Sequence, residues 1–211
     1  MKIAICGTHC IGKSTFVTDF LANWPTYKTP KETYREYIKA NNIPHSKEGN
    51  EESQKAILDF LVQESQKFSR TDNVIFDRCI VDNLAYSSWL YLNGKVSEKF
   101  LDETRLTVRR EIADFDIILF FPISKFSQVE FTEDELRNSD PLYREEIDNI
   151  FKTFQQSYTQ QDGRVFPVDD SPPMIEIFGN QMERIKLVEL YVAKDGNPYK
   201  EEDSLINDII K

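Results

Sequence analysis

Nine residues near the start of the chain, GTHCIGKST from Gly7 to Thr15, constrain the fold more than any other stretch of the 211 residues. They read Gly, four residues, Gly-Lys-Ser. The apolar run KIAIC (Lys2 to Cys6) precedes them, and Phe16, Val17, Phe20 and Leu21 follow at helical spacing. A strand, a glycine-bracketed loop and a helix in that order make a cradle for phosphate. The glycines let the backbone close around the anion with successive N–H groups pointing inward. The N-terminus of the following helix adds partial positive charge. In this pattern the loop Gly7, Thr8, His9, Cys10, Ile11 and Gly12 wraps the phosphates of a nucleotide, with Thr15 closing the segment. Lys13 reaches the β- and γ-oxygens, and the Ser14 hydroxyl faces Mg²⁺. Such a loop fixes nucleotide binding and leaves the reaction open.

The remainder alternates short apolar runs with amphipathic stretches and shows no internal repeat or interdomain linker. That pattern predicts one α/β domain over residues 1–211, a three-layer fold with a parallel central sheet of about five strands and helices on both faces. Strands are expected at KIAIC, near Tyr27, at NVIFD (Asn73 to Asp77) and at FDIILFF. Either RVFPV or MIEIF supplies the last one. Helices are expected from Lys13, over ETYREYIKAN (Glu32 to Asn41), over NEESQKAILDFLVQESQKFSR and over VDNLAYSSWLYL. Others follow at SEKFLDETRLTVRREIA behind a Ser97 cap, at DPLYREEIDNIFKTFQQSY with Asp140 capping and Pro141 at the first position, and over GNQMERIKLVELYVA. The tail 194–211 is expected to add a short helix. A net charge of −10 argues against a broad duplex-DNA footprint, and any phosphate pocket must be local. No apolar stretch is long enough to span a bilayer. The start MKIAICGTHC leaves no room for a cleavable signal, so a cytoplasmic protein is expected. Cys6, Cys10 and Cys79 have neither metal-ligand nor disulfide spacing and read as reduced thiols.

Asp77 and Arg78 end the strand NVIFD on its carboxyl side, where open parallel sheets bind ligands. A carboxylate there can hold Mg²⁺ or take a proton from an acceptor hydroxyl, and the arginine can bind phosphate or the acceptor. The aromatics Tyr34, Tyr37, Phe60, Tyr86, Trp89 and Tyr91 gather on the same side of the sequence pattern. Tyr86 is the best candidate to touch a planar acceptor.

Asp-Arg after a strand, followed by a carboxylate and Ala-Tyr in the next helix, resembles the thymidylate kinase and deoxynucleoside kinase superfamily. It is closer still to the P-loop ATPase/kinase family that includes nicotinamide riboside kinase domains and phage nucleotide-kinase-like proteins. PKETYREYI is similar to that family's glutamate-arginine segment, which implies that Glu32 sits near the acceptor or the metal-bound water and that Arg35 helps bind substrate. FTEDELRNSDPLYREE resembles the family's helical lid, here about 124–145. Arg137 and Arg144 would then stabilise the transferred phosphoryl group. IFGNQMERI resembles the turn that packs on adenine, which implies Gly179 and Asn180 beside the base.

Three features depart from the family pattern. Cys10 stands where a glycine is often found, Asn83 and Leu84 after Asp82 give no substrate code, and no carboxylate ends FDIILFF. The last argues against a motor ATPase and leaves Asp77 to serve the metal. No Asn-Lys-x-Asp guanine-reading motif occurs, which favours ATP. The resemblance therefore implies an ATP·Mg²⁺-dependent phosphotransferase. Its small-molecule acceptor would be a (deoxy)nucleoside or a nucleoside monophosphate. A kinase acting on a modified base in DNA and a nucleotide-binding regulatory ATPase stay open as alternatives.

Overall fold

The computed structural model describes residues 1–126 and 140–198. Strands β1 (Lys2–Cys6), β2 (Val74–Asp77), β3 (Ile117–Phe120) and β4 (Met174–Glu176) pair in parallel in the order β2-β1-β3-β4. The two-residue period of a strand sorts their side chains between two cores. Ala4, Cys6, Val74, Phe76, Ile118 and Phe120 enter one, and Ile3, Ile5, Ile75, Ile117 and Leu119 enter the other. A parallel sheet is covered on both faces, so these runs are apolar throughout rather than alternating.

Helices α1 (Lys13–Asn23) and α7 (Gln181–Val188) bury Phe16, Phe20, Ile185 and Val188 on the second face. The first face is covered by α2 (Tyr34–Ala40), α3 (Glu51–Gln66), α4 (Ile80–Leu92), α5 (Glu98–Glu111) and α6 (Pro141–Gln160). Their starts are chemically marked. Ser97 Oγ accepts from Phe100 N, and Asp140 Oδ1 accepts from Leu142 N and Tyr143 N ahead of Pro141. Asn50 with Ser53, and Asn180 with Glu183, form reciprocal capping boxes. Each cap contributes about 1 kcal/mol.

Several expectations are corrected. The described residues hold four strands rather than five. The strand expected near Tyr27 is a single bridge between Lys28 and Val74, fixed by Lys28 N donating to Asn73 O and Ile75 N donating to Lys28 O. Pro30 follows two residues on and has no N–H to extend a ladder. The last strand is Met174–Glu176, while RVFPV places Phe166 in the core under α6. Glu32 and Thr33 precede α2 instead of opening it, because Thr33 is its cap. Helix α7 ends at Val188, short of the expected Ala193. The expected tail helix falls mostly on 199–211, outside the described residues, as do most of the expected lid (127–139) and Arg137.

Lys2 is wholly buried. Its Nζ donates to Ser65 O (2.9 Å) and Phe68 O (3.1 Å) and pairs with Asp114, which fastens the C-terminal end of α3 to the amino edge of the sheet. Among the described residues no helix is long and apolar enough to cross a membrane.

Candidate active site

The loop between β1 and α1 is shaped by positions with positive φ. Gly7 (φ 136°) lies so close to β3 that a Cβ there would sit 2.5 Å from Phe121 O. Gly12 (φ 81°) caps α1 with no side-chain bond to its first N–H groups, which leaves that helix end open to an anion. Cys10 holds φ 55°, a left-handed conformation that favours glycine, where the family pattern often has one. The Lys13 ammonium lies buried across the loop and donates to Gly7 O (2.8 Å) and Thr8 O. Burial, followed by the nearby Arg78 guanidinium, pushes its pKa down to about 7. The buried Thr8 hydroxyl has no hydrogen-bond partner among the described residues. An open helix end, a depressed ammonium and an orphaned hydroxyl around one loop fit a polyphosphate.

The end of β2 comes up against this loop. Ser14 Oγ donates to Asp77 Oδ2 (2.6 Å) and accepts from Arg35 Nη2 (3.1 Å). A hydroxyl and a carboxylate at this spacing are hard oxygen donors of the kind Mg²⁺ takes. Among the described residues no group of three or more His, Cys, Asp or Glu could hold a metal. Arg78 has φ 91° and turns its guanidinium between the rings of Tyr34 (5.2 Å) and Tyr86 (5.6 Å). It pairs with the buried Asp82 at 3.1 Å. Burial works against the charge on Arg78, but Tyr86, Asp82, Tyr34 and Asp77 outweigh it and raise its pKa.

A cavity of ≈ 210 Å³ opens from this junction. Ser14, Glu32, Asp77 and Arg78 line it together with Pro30, Tyr34, Phe60, Leu61, Glu64, Phe76 and Phe115. The expected aromatics divide around it. Tyr34 and Phe60 are in its wall, and Tyr37 stacks on Phe60 (centroids 4.1 Å apart, 10° between planes). Tyr86 and Trp89 belong to a separate ring cluster about Tyr143, and Tyr91 is exposed. Tyr86 reaches the site indirectly, beneath Arg78 and 3.4 Å from His9 Nδ1. The His9 ring in turn faces Tyr143 at 5.6 Å. Thr15 is exposed on α1.

Two arginines tie distant elements to the loop. Arg144 of α6 donates from Nη2 to Cys10 O (3.2 Å). Arg184 of α7 lies buried over the Phe121 ring and donates from Nη1 to Ile11 O (2.9 Å) and from Nε to Gly179 O (3.0 Å). Gly179 (φ 91°) and the cap Asn180 are thereby joined to the phosphate loop. Glu64 does not stand out as a site residue in the sequence. The signal for Arg184 is the Glu183-Arg184 pair in IFGNQMERI, which follows the segment resembling the family's adenine turn.

Residues 2–166 match a protein family described as an AAA domain. No curated protein matches the sequence. Among solved structures the fold is similar to NadR in complex with NR (TM-score 0.64, 15% identity, covering 95% of this chain and 53% of that one). It is also similar to deoxyadenosine kinase from M. mycoides (0.61, 21%, 89% and 96%) and to thymidylate kinase from Candida albicans (0.60, 15%, 95% and 95%). The chain spans about half the length of the NadR chain. At these identities the likeness establishes the fold, a parallel P-loop α/β architecture of the kind seen in nucleoside and nucleotide kinases.

Proposed function

Since the chain belongs to the AAA domain family, we propose that it is a P-loop phosphotransferase moving the γ-phosphoryl group of ATP to a small acceptor, a (deoxy)nucleoside or nucleoside monophosphate. The observation that carries this reading is the shared wall. Ser14, Asp77 and Arg78 belong at once to the phosphate side and to the cavity, so a molecule in the cavity faces the end of the polyphosphate. The relatives in fold include proteins named as a deoxyadenosine kinase and a thymidylate kinase, and one bound to NR.

In this reading the open end of α1 and the loop amides hold the phosphates, and Lys13 leaves its carbonyl partners to pair with the β- and γ-oxygens. Ser14 and Asp77 would hold Mg²⁺, which would supply positive charge to offset that of the phosphates. Glu32, exposed at the cavity mouth, takes the proton of the acceptor hydroxyl. The acceptor oxygen bonds to the γ-phosphorus as the bond to the β–γ bridging oxygen breaks, and ADP leaves. Arg78, set between two rings, and Arg144 and Arg137 stabilise charge on the phosphoryl oxygens. Arg35 orients Ser14 and the acceptor, and Gly179 and Asn180 border the adenine.

The test is ADP release from Mg·ATP against a panel of nucleosides, nucleoside monophosphates and nicotinamide riboside, with Lys13→Ala alongside. Stimulation by one acceptor class, abolished in a folded Lys13→Ala protein, is the expected result. Acceptor-independent turnover, or turnover retained in the variant, overturns the proposal.

A further inference from the structure

The cavity wall carries a carboxylate that the transfer reaction does not use. Glu64 lies one residue before Ser65, whose carbonyl Lys2 fastens at the amino edge of the sheet, and Phe115 beside it precedes β3. Ser14, Asp77 and Arg78 lie at the carboxyl edge. The four residues of β2 separate the two ends by roughly 10 Å at the rise of a strand. A nucleoside with its hydroxyl beside Ser14, Asp77 and Arg78 therefore directs its base along β2, toward Glu64.

The surroundings make this carboxylate selective. The Glu64 side chain is 8% exposed, and its neighbours in the wall, Phe60, Leu61, Phe76 and Phe115, are apolar. Among the described residues its one hydrogen bond is at Oε1, from Lys67, whose own side chain is 59% exposed. An ion pair open to solvent on one side adds little to stability, and an apolar residue would close the wall without desolvating a charge. An ionised carboxylate is acceptor-only. It rewards a ligand that offers N–H and disfavours one that turns only lone pairs toward it. We infer that Glu64 is the specificity-determining residue for the acceptor, and that the acceptor presents an exocyclic amine on the edge of its ring remote from the reacting hydroxyl.

This rests on the reading of the cavity as the acceptor site, so the test measures binding apart from turnover. Calorimetric titration of wild type, Glu64→Gln and Glu64→Met would use three pairs differing by one amine: adenosine and purine riboside, cytidine and 2-pyrimidinone riboside, guanosine and inosine. In one pair the wild type should bind the amino member about 10- to 100-fold more tightly. That preference should fall at least fivefold in the isosteric Glu64→Gln and vanish in Glu64→Met, with the deaminated member bound equally by all three proteins. A wild type indifferent to the amine in every pair, a preference unchanged in both variants, or no binding of any of the six nucleosides overturns the inference. Binding that follows the amine while no acceptor stimulates ADP release upholds Glu64 and overturns the phosphotransferase reading.

Discussion

Nucleotide affinity should depend on pH through Lys13. In the nucleotide-free protein this ammonium is 5% exposed and held against two carbonyls, with a pKa lowered to about 7 by burial and by Arg78. A bound polyphosphate stabilises the charged form, so the pKa in the complex lies above 7. Below pH 7 the amine is charged with or without ligand and the affinity is flat. Above pH 7 the free protein has lost the proton and must take one up to bind. Well above pH 7 affinity falls tenfold per pH unit, about 1.4 kcal/mol each, and the fall between pH 7 and 9 is about 50-fold because the amine is already half deprotonated at pH 7. Titration calorimetry with Mg·ADP at pH 7, 8 and 9, in two buffers of different ionisation heat, reads affinity and proton uptake together. Uptake should approach one proton at pH 9, and Lys13→Arg, charged throughout, should remove both the slope and the uptake. Affinity that is flat from pH 7 to 9 with no uptake refutes the reasoning. The same shift acts on folding. The unfolded amine titrates near 10.5, so between about 7 and 10.5 the unfolded chain holds more protons and the stability of the free protein rises with pH.

Three further outcomes follow from the geometry. Cys10→Gly relieves the left-handed φ of 55° and should stabilise by about 0.5–1 kcal/mol, read as a rise of roughly 1–4 °C in the thermal midpoint. Asp82→Asn leaves Arg78 buried without its 3.1 Å partner and should cost about 3–5 kcal/mol in urea unfolding. Replacing both residues by leucine should cost less than that single change. Arg184→Met strands Ile11 O and Gly179 O, should cost about 2–3 kcal/mol and lower the midpoint by roughly 4–12 °C, and should weaken nucleotide binding measured by calorimetry.

What was legible in the sequence was what local physics decides. The spacing of Gly7, Gly12 and Lys13 specifies the loop, the unbroken apolar runs specify buried parallel strands, and Ser97, Asp140-Pro141 and Asn180 mark helix starts where the structure has them. Where a long-range partner decides, the sequence is silent. Lys28 pairs with one residue of β2 and goes no further because of Pro30, three residues from Tyr27. Tyr86 and Trp89 lie in the predicted helix, yet their rings turn to Tyr143, 57 and 54 positions away along the chain in α6, rather than into the cavity. Glu64 looks like an ordinary polar position of an amphipathic helix, and Arg184 is marked only as part of the Glu-Arg pair after Gly179-Asn180. Only the packing of α3 and α7 shows that one faces a cavity and the other lies beneath the phosphate loop.

Arg184 also sets a length. One planar group grips Ile11 O, at the phosphates, and Gly179 O, at the turn proposed for the base. Its own plane is held against Phe121, whose carbonyl oxygen leaves no room for a Cβ at Gly7. The loop proposed for the phosphates and the turn proposed for the base are thus parts of one rigid gauge. The span between them is given by the width of a guanidinium rather than by the reach of a loop. In the proposed reading, a nucleotide whose base and phosphates do not match that spacing meets a fixed ruler rather than an adaptable loop.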